Sequence, residues 1–95
     1  MNKETHYFVR TPKYRLGPFW VEDEKTGYFS TIEDSKRFIK RQITYVKKSD
    51  KCIFTVHDRT NPEVINRQES LKNDAIRKLS LVEPIPFEIE VPEYI

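Results

Sequence analysis

Only a few residues of the chain have the types and spacing that chemistry requires. Cys52 and His57 pair a nucleophile with a base. The run that holds them, Cys52-Ile53-Phe54-Thr55-Val56-His57, is β-branched and aromatic and predicts a strand. In a strand, side chains five residues apart point to opposite faces and lie about 16 Å apart, which excludes a dyad. Cys52 then reads as a small core residue and His57 as a half-exposed one at a strand end. Glu22 and Glu24, two residues apart, have a spacing that suits two-carboxylate hydrolysis, yet they sit beside a turn and read as solvated charges. Zinc needs about four ligands at close spacing. One cysteine and two histidines, His6 and His57, on separate predicted strands do not supply them. Gly17 and Gly27 are the only glycines, so there is no glycine-rich phosphate loop, and no G-x-S-x-G nucleophile motif occurs. The expectation is a protein that is not an enzyme and takes neither cofactor nor metal.

The leading candidate site is electrostatic. Lys36, Arg37, Lys40, Arg41, Lys47 and Lys48 recur at helical spacing and share one arc of a helix, where they attract a phosphate backbone or an acidic protein surface. The adjacent pairs Tyr7-Phe8, Phe19-Trp20 and Tyr28-Phe29 put rings on both faces of a sheet, of which one is core. Trp20 is the ring expected to be most exposed, on an aromatic surface larger than a solitary monomer needs. Near the C-terminal end, Phe87, Glu88 and Glu90 join an aromatic ring to acidic charge. They suit either an edge strand of the chain's own sheet or a segment that docks on a partner.

Elements legible in the pattern must position these residues. Thr5 to Arg10 predicts a first strand that stops before Pro12, followed by a loop from Lys13 to Pro18. Phe19-Trp20-Val21-Glu22 predicts a second strand, Glu24-Lys25-Thr26-Gly27 a turn with Gly27 at positive φ, and Tyr28-Phe29-Ser30 a third strand. Ser30-Thr31-Ile32-Glu33 is a capping box, and the helix it opens runs to about Lys48. Ile32, Ile39, Ile43 and Val46, flanked by Phe38 and Tyr45, form its buried stripe. After the strand from Cys52 to His57, the pattern predicts a turn from Asp58 to Pro62 and a strand over Glu63-Val64-Ile65-Asn66-Arg67. A second helix over Ser70 to Ser80 turns Leu71, Ala75, Ile76 and Leu79 inward. Pro84, Pro86 and Pro92 forbid a helix from Val82 onward, where Ile85, Phe87, Ile89 and Val91 alternate with Pro86, Glu88 and Glu90. The fold class that follows is α+β, a small antiparallel sheet in the order β-β-β-α-β-(β)-α with helices on one face. Residues 1–82 make a single domain, and 83–95 an extended, acidic, proline-rich segment packed on the sheet.

Composition sets the outer bounds. With 95 residues, 37% of them apolar, the chain has room for one core, to which twelve aromatic residues contribute. Charge is plentiful at 34% but balanced, with a net of +2. It is unevenly spread, since residues 1–60 carry +5 and residues 61–95 carry −3. No apolar run spans a bilayer, no apolar signal segment opens the chain, and a single cysteine suits a reducing compartment. No membrane contact and a cytoplasmic location are expected. Phe, Tyr, Met, Ile, Asn and Lys supply 35 residues, a usage that fits the A/T-rich codons of a low-GC bacterium or a phage. By elimination, the expected function is a small cytoplasmic module that binds another protein as inhibitor, adaptor or regulator. The alternative is nucleic-acid binding through the basic helix face.

Overall fold

The protein is described by a computed structural model over residues 2–92, and the last three residues of the acidic tail lie outside the described residues. The fold is α+β, with five strands in two antiparallel sheets and two helices. The aromatic, β-branched start of the chain forms β1 (Asn2–Thr11), the central strand of a sheet ordered β4-β1-β5. β4 (Lys25–Phe29) pairs with Tyr7 to Thr11, and β5 (Ile85–Val91) pairs with Asn2 to Phe8, both antiparallel. β2 (Tyr14–Gly17) and β3 (Trp20–Glu22) form the second sheet by themselves.

Several elements differ from the sequence-based expectation, each for a local reason. The loop expected from Lys13 to Pro18 contains β2, because Tyr14 and Leu16 fall on one side of an extended segment and both are buried. Gly27 does not turn the chain: no described glycine has positive φ, and Gly27 lies inside β4 opposite Val9. Its missing side chain makes room for Phe29, whose ring atoms would stand 2.7 Å from a Cβ at that position. The helix cap is Thr31 rather than Ser30, its hydroxyl accepting the Asp34 amide at 3.2 Å.

Between the helices there are no strands. Thr55 and Asp58 cap one another's backbone, so Val56–Thr60 winds into a short 3-10 helix where a strand was expected over Cys52 to His57. Asn61 then caps α2 (Pro62–Ser80) by accepting the Glu63 amide at 3.0 Å, with Pro62 in the first turn, where a missing N–H costs nothing. The segment Glu63 to Arg67, expected as a strand, is therefore the first part of that helix.

α1 (Ile32–Lys47) has the expected phase: Ile39 and Val46 are buried and Ile32, Phe38 and Ile43 half-buried, while Tyr45 stands at the margin. The core is small. Tyr14, Leu16, Val46, Ala75 and Leu79, with Ile43 and Ile76 against them, fill the space between β2, α1 and α2. Gln68, buried on α2, donates to the Ser49 carbonyl at 3.2 Å and accepts the Cys52 amide at 2.8 Å, pinning the connection between the helices to the core. That connection passes so close to β2 that a Cβ on Gly17 would lie 2.4 Å from the Lys51 carbonyl oxygen.

The molecule measures 66 × 21 × 19 Å with a radius of gyration of 18.2 Å. A compact domain of this length has about 12 Å. Part of the elongation comes from the far half of β1, which outruns β4 and is accompanied by β5 alone.

Two substitutions test this packing. Ile39→Asp, which buries a charge in the middle of the α1 stripe, is expected to abolish the cooperative thermal melt, whereas Lys40→Asp on the exposed side leaves it within a few degrees. Gly17→Ala, meeting backbone that cannot step aside, should destabilise by about 1–3 kcal/mol in urea titrations.

Candidate protein-binding surface

β1 alternates Tyr7, Val9 and Thr11 toward α1 with His6, Phe8 and Arg10 away from it. On the helix side the contacts are complete. Val9 and Thr11 are buried, the Thr11 hydroxyl is hydrogen-bonded to the Lys25 backbone, and the Phe29 ring meets Phe38 of α1 at 5.3 Å. α1 packs on β1 and β4 from that side only, and α2 packs on α1 and β2. Neither helix reaches the opposite face.

That face is aromatic. The register puts Tyr28 and Ile85 on either side of Phe8, Phe87 beside His6, Ile89 beside Glu4 and Val91 beside Asn2. Phe8 and Tyr28 lie 5.0 Å apart, Tyr28 meets Phe87 edge-on at 6.1 Å, and His6 meets Phe87 at 6.2 Å. The Arg10 guanidinium sits 5.8 Å from the Phe8 ring centre. Tyr28 remains 73% exposed. Past the end of β4, Asn2 to His6 and Phe87 to Val91 continue as a two-stranded ribbon. One side of it carries Phe87, Ile89 and Val91, and the other carries Lys3, Thr5, Glu88 and Glu90, with Lys3 and Glu88 paired at 3.8 Å. A ribbon of two strands is marginal in water without a second layer against its apolar side.

The residues singled out in the sequence are scattered by the fold. Phe87 belongs to the aromatic face, but the pleat turns Glu88 and Glu90 to the side away from it. Trp20, expected to be the most exposed ring, is less exposed than Phe19, Tyr28 or Phe54 and stands apart on β3, because its indole N–H is donated to Glu22 at 2.8 Å and the Lys51 ammonium lies 4.3 Å from its ring centre. Lys36, Arg37, Lys40 and Arg41 are exposed on α1; Arg37 is paired with Asp34 at 3.0 Å, and Arg37, Lys40 and Arg41 line a groove with Thr44. Lys47 and Lys48 are exposed at the helix end, where Lys72 donates to the Lys47 carbonyl at 3.0 Å. Helix and sheet thus stand between the basic arc and the aromatic face. The sequence names Phe8 and Tyr28 only as members of ring pairs on both faces of a sheet, and does not single out His6, Arg10, Ile85 or Ile89. Their signal is the alternation within Thr5 to Arg10 and within Ile85 to Val91, which acquires meaning once the two runs are paired. A smaller exposed aromatic pair, Phe19 with Phe54 at 6.1 Å, was likewise not singled out.

Neither catalytic candidate has a reactive setting. Cys52 is buried, its thiol donating to the Leu16 carbonyl at 3.6 Å, and burial pushes its pKa up, away from the thiolate. His57 is exposed in the 3-10 helix. Glu24 lies 4.0 Å from Arg10, whereas Glu22 is a structural hub with its side chain only 14% exposed. It accepts the Tyr45 hydroxyl at 2.6 Å and the Trp20 N–H and lies 3.8 Å from Lys25, tying β3 to α1 and β4. Among the described residues, no three His, Cys, Asp or Glu side chains gather as a metal site, and no helix is long and apolar enough to cross a membrane. Comparison with known proteins gives no matching family model, curated protein or solved structure.

The Glu22 hub makes stability depend on pH in a defined way. Burial raises the Glu22 pKa, but the hydrogen bonds from Tyr45 and Trp20 and the charges of Lys25 and Lys51 together outweigh it and leave it lowered. Its contribution is complete above the usual carboxylate range and lost as pH falls through the lowered value. Tyr14 is pushed up to about 12 by burial, then by the charges of Glu22 and Tyr45. Its contribution is present below about pH 10, where an unfolded tyrosine ionises, and lost toward pH 12. Melting temperatures measured against pH should therefore fall less steeply in acid for Glu22→Gln, and less steeply in alkali for Tyr14→Phe, than for the wild type.

Proposed function

We propose that this chain is a small, non-enzymatic protein-binding module whose contact surface is the open face of the β4-β1-β5 sheet. The observation that carries the reading is the cluster of Phe8, Tyr28, Phe87 and His6, extended by Ile85 and Ile89, on a face that no described helix covers. Aromatic rings with Arg10 beside them and Glu4 farther along the strand make the kind of apolar centre with a charged margin that protein interfaces use. A cytoplasmic inhibitor, adaptor or regulator of a larger assembly is the role that fits such a surface on a body with so small a core.

The exposed basic arc of α1 supports nucleic acid as a second reading. Against it stands the separation of charge and rings: bases stack on aromatic side chains while neighbouring cations neutralise the phosphates, and here the two groups point to opposite sides of the molecule.

One pair of variants discriminates these readings. Tyr28→Lys combined with Phe87→Lys is expected to keep the cooperative melt and abolish capture of protein partners from the host. Changing Lys36, Arg37, Lys40 and Arg41 together to Glu should leave that capture intact. Retention on DNA or RNA that falls steeply with salt, and is lost in the Glu variant alone, would overturn the proposal in favour of nucleic acid.

A further inference from the structure

The open face repeats its own chemistry in reverse. Along β1 it presents Glu4, His6, Phe8 and Arg10 in sequence, a carboxylate and a guanidinium about 20 Å apart with two rings between them. A two-fold axis lying in this face, perpendicular to the strands at Tyr7, turns that row onto itself. Glu4 then faces Arg10 of a second copy at both ends, and His6 faces Phe8 of the second copy in the middle. On β5, the same operation lays Phe87 over Ile85 of the second copy, since these residues are level with His6 and Phe8. An axis parallel to the strands would instead stack Glu4 on Glu4 and Arg10 on Arg10.

We infer that the occupant of the open face is a second copy of this chain, packed face to face with its strands reversed. This rests on the reading of that face as the binding surface and names its partner. Packed sheets lie about 10 Å apart and cross at about 30°, which shifts each end of the row by about 5 Å, within reach of Arg and Glu side chains. The contacts that Glu4 and Arg10 make within the chain do not hold them back. Glu4 accepts from His6 at 3.1 Å and Arg10 lies 4.0 Å from Glu24, both on the exposed surface, where such pairs contribute little. Pro86, without an N–H, interrupts the donors of β5, so the face rather than the strand edge is the complementary surface. The second copy also covers the part of the ribbon nearest the axis, laying its Ile85 over Phe87 and its Phe8 over His6.

Sedimentation of the full chain over a range of concentrations tests the arrangement. The wild type should pass from monomer to dimer and stop there, as an interface closed by a two-fold axis requires. Glu4→Arg and Arg10→Glu should each weaken the dimer about 10-fold or more, and the double variant should recover to within about 3-fold of wild type. Phe87→Lys should abolish the dimer while the melt of the monomer stays cooperative. A wild type that is monomeric up to about 1 mM overturns the inference. If Tyr28→Lys with Phe87→Lys still abolishes capture of a different protein in that case, the binding face stands and only its occupant is wrong. A dimer indifferent to both single charge reversals, or weakened further in the double variant, also overturns the inference, as does growth beyond two copies.

Discussion

Only α1 packs on the three-stranded sheet, and from one side, and much of the rest of this structure follows from that. α1 takes the face of β1 and β4 that bears Val9, Thr11 and Phe29, and α2 is committed to α1 and β2 through Ala75 and Leu79. Nothing in the described chain remains to cover Phe8, Tyr28 and Phe87. Burying the other sides of these rings against one another limits their contact with water, but a face of this composition gains further apolar burial only from outside the described residues. The elongated shape has the same origin, because β1 and β5 continue past the last residue of β4 and past the layer of α1 that packs there.

A core cluster of five residues, with Val9, Ile39 and Cys52 buried outside it, leaves much of the fold to polar pins. Glu22 joins the small β2-β3 sheet to α1 and β4, and its three partners come from three different elements. Gln68 does the same for the connection between the helices, meeting two backbone groups that have no strand or helix partner. Satisfied polar contacts such as the buried ones of Gln68 cost more when one partner is lost than they contribute when made, so they fix the arrangement more than they strengthen it. On the exposed aromatic face the polar pairs, His6 with Glu4 and Arg10 with Glu24, lie at the surface and tie it to no other layer.

How much of this was legible in the sequence varies with the range of the interaction that decides each element. The stripe Ile32, Ile39, Ile43 and Val46 specifies α1 locally, and the alternation from Ile85 to Val91 specifies an extended β5. Cys52 to His57 misleads because β-branched and aromatic residues there do not find a strand to pair with, while Thr55 and Asp58 satisfy one another within a turn. Asn61-Pro62-Glu63 is a helix start by the same capping chemistry that marks α1, yet Pro62 also fits a turn, and Val64 and Ile65 also fit a strand. The open aromatic face is legible in the sequence only as ring pairs on both sides of a sheet, and its composition is not. No single segment contains it: Phe8, Tyr28 and Phe87 come from three strands separated in sequence, and only the registers of β1 with β4 and β5 bring them together. The five basic residues of α1 and Lys48 at its C-cap are legible because one helix displays them, and the fold leaves them on the far side from the rings.

The central claim is that the face bearing Phe8, Tyr28 and Phe87 is open in the single chain. Hydroxyl-radical footprinting of a dilute solution, read residue by residue by mass spectrometry, tests it most directly. Tyr28, 73% exposed, should be oxidised at nearly the rate of a free tyrosine, while Tyr14, 5% exposed in the core, is protected. Equal protection of Tyr28 and Tyr14 at dilutions where the chain is a monomer would show that the chain covers this face itself, and would contradict the account.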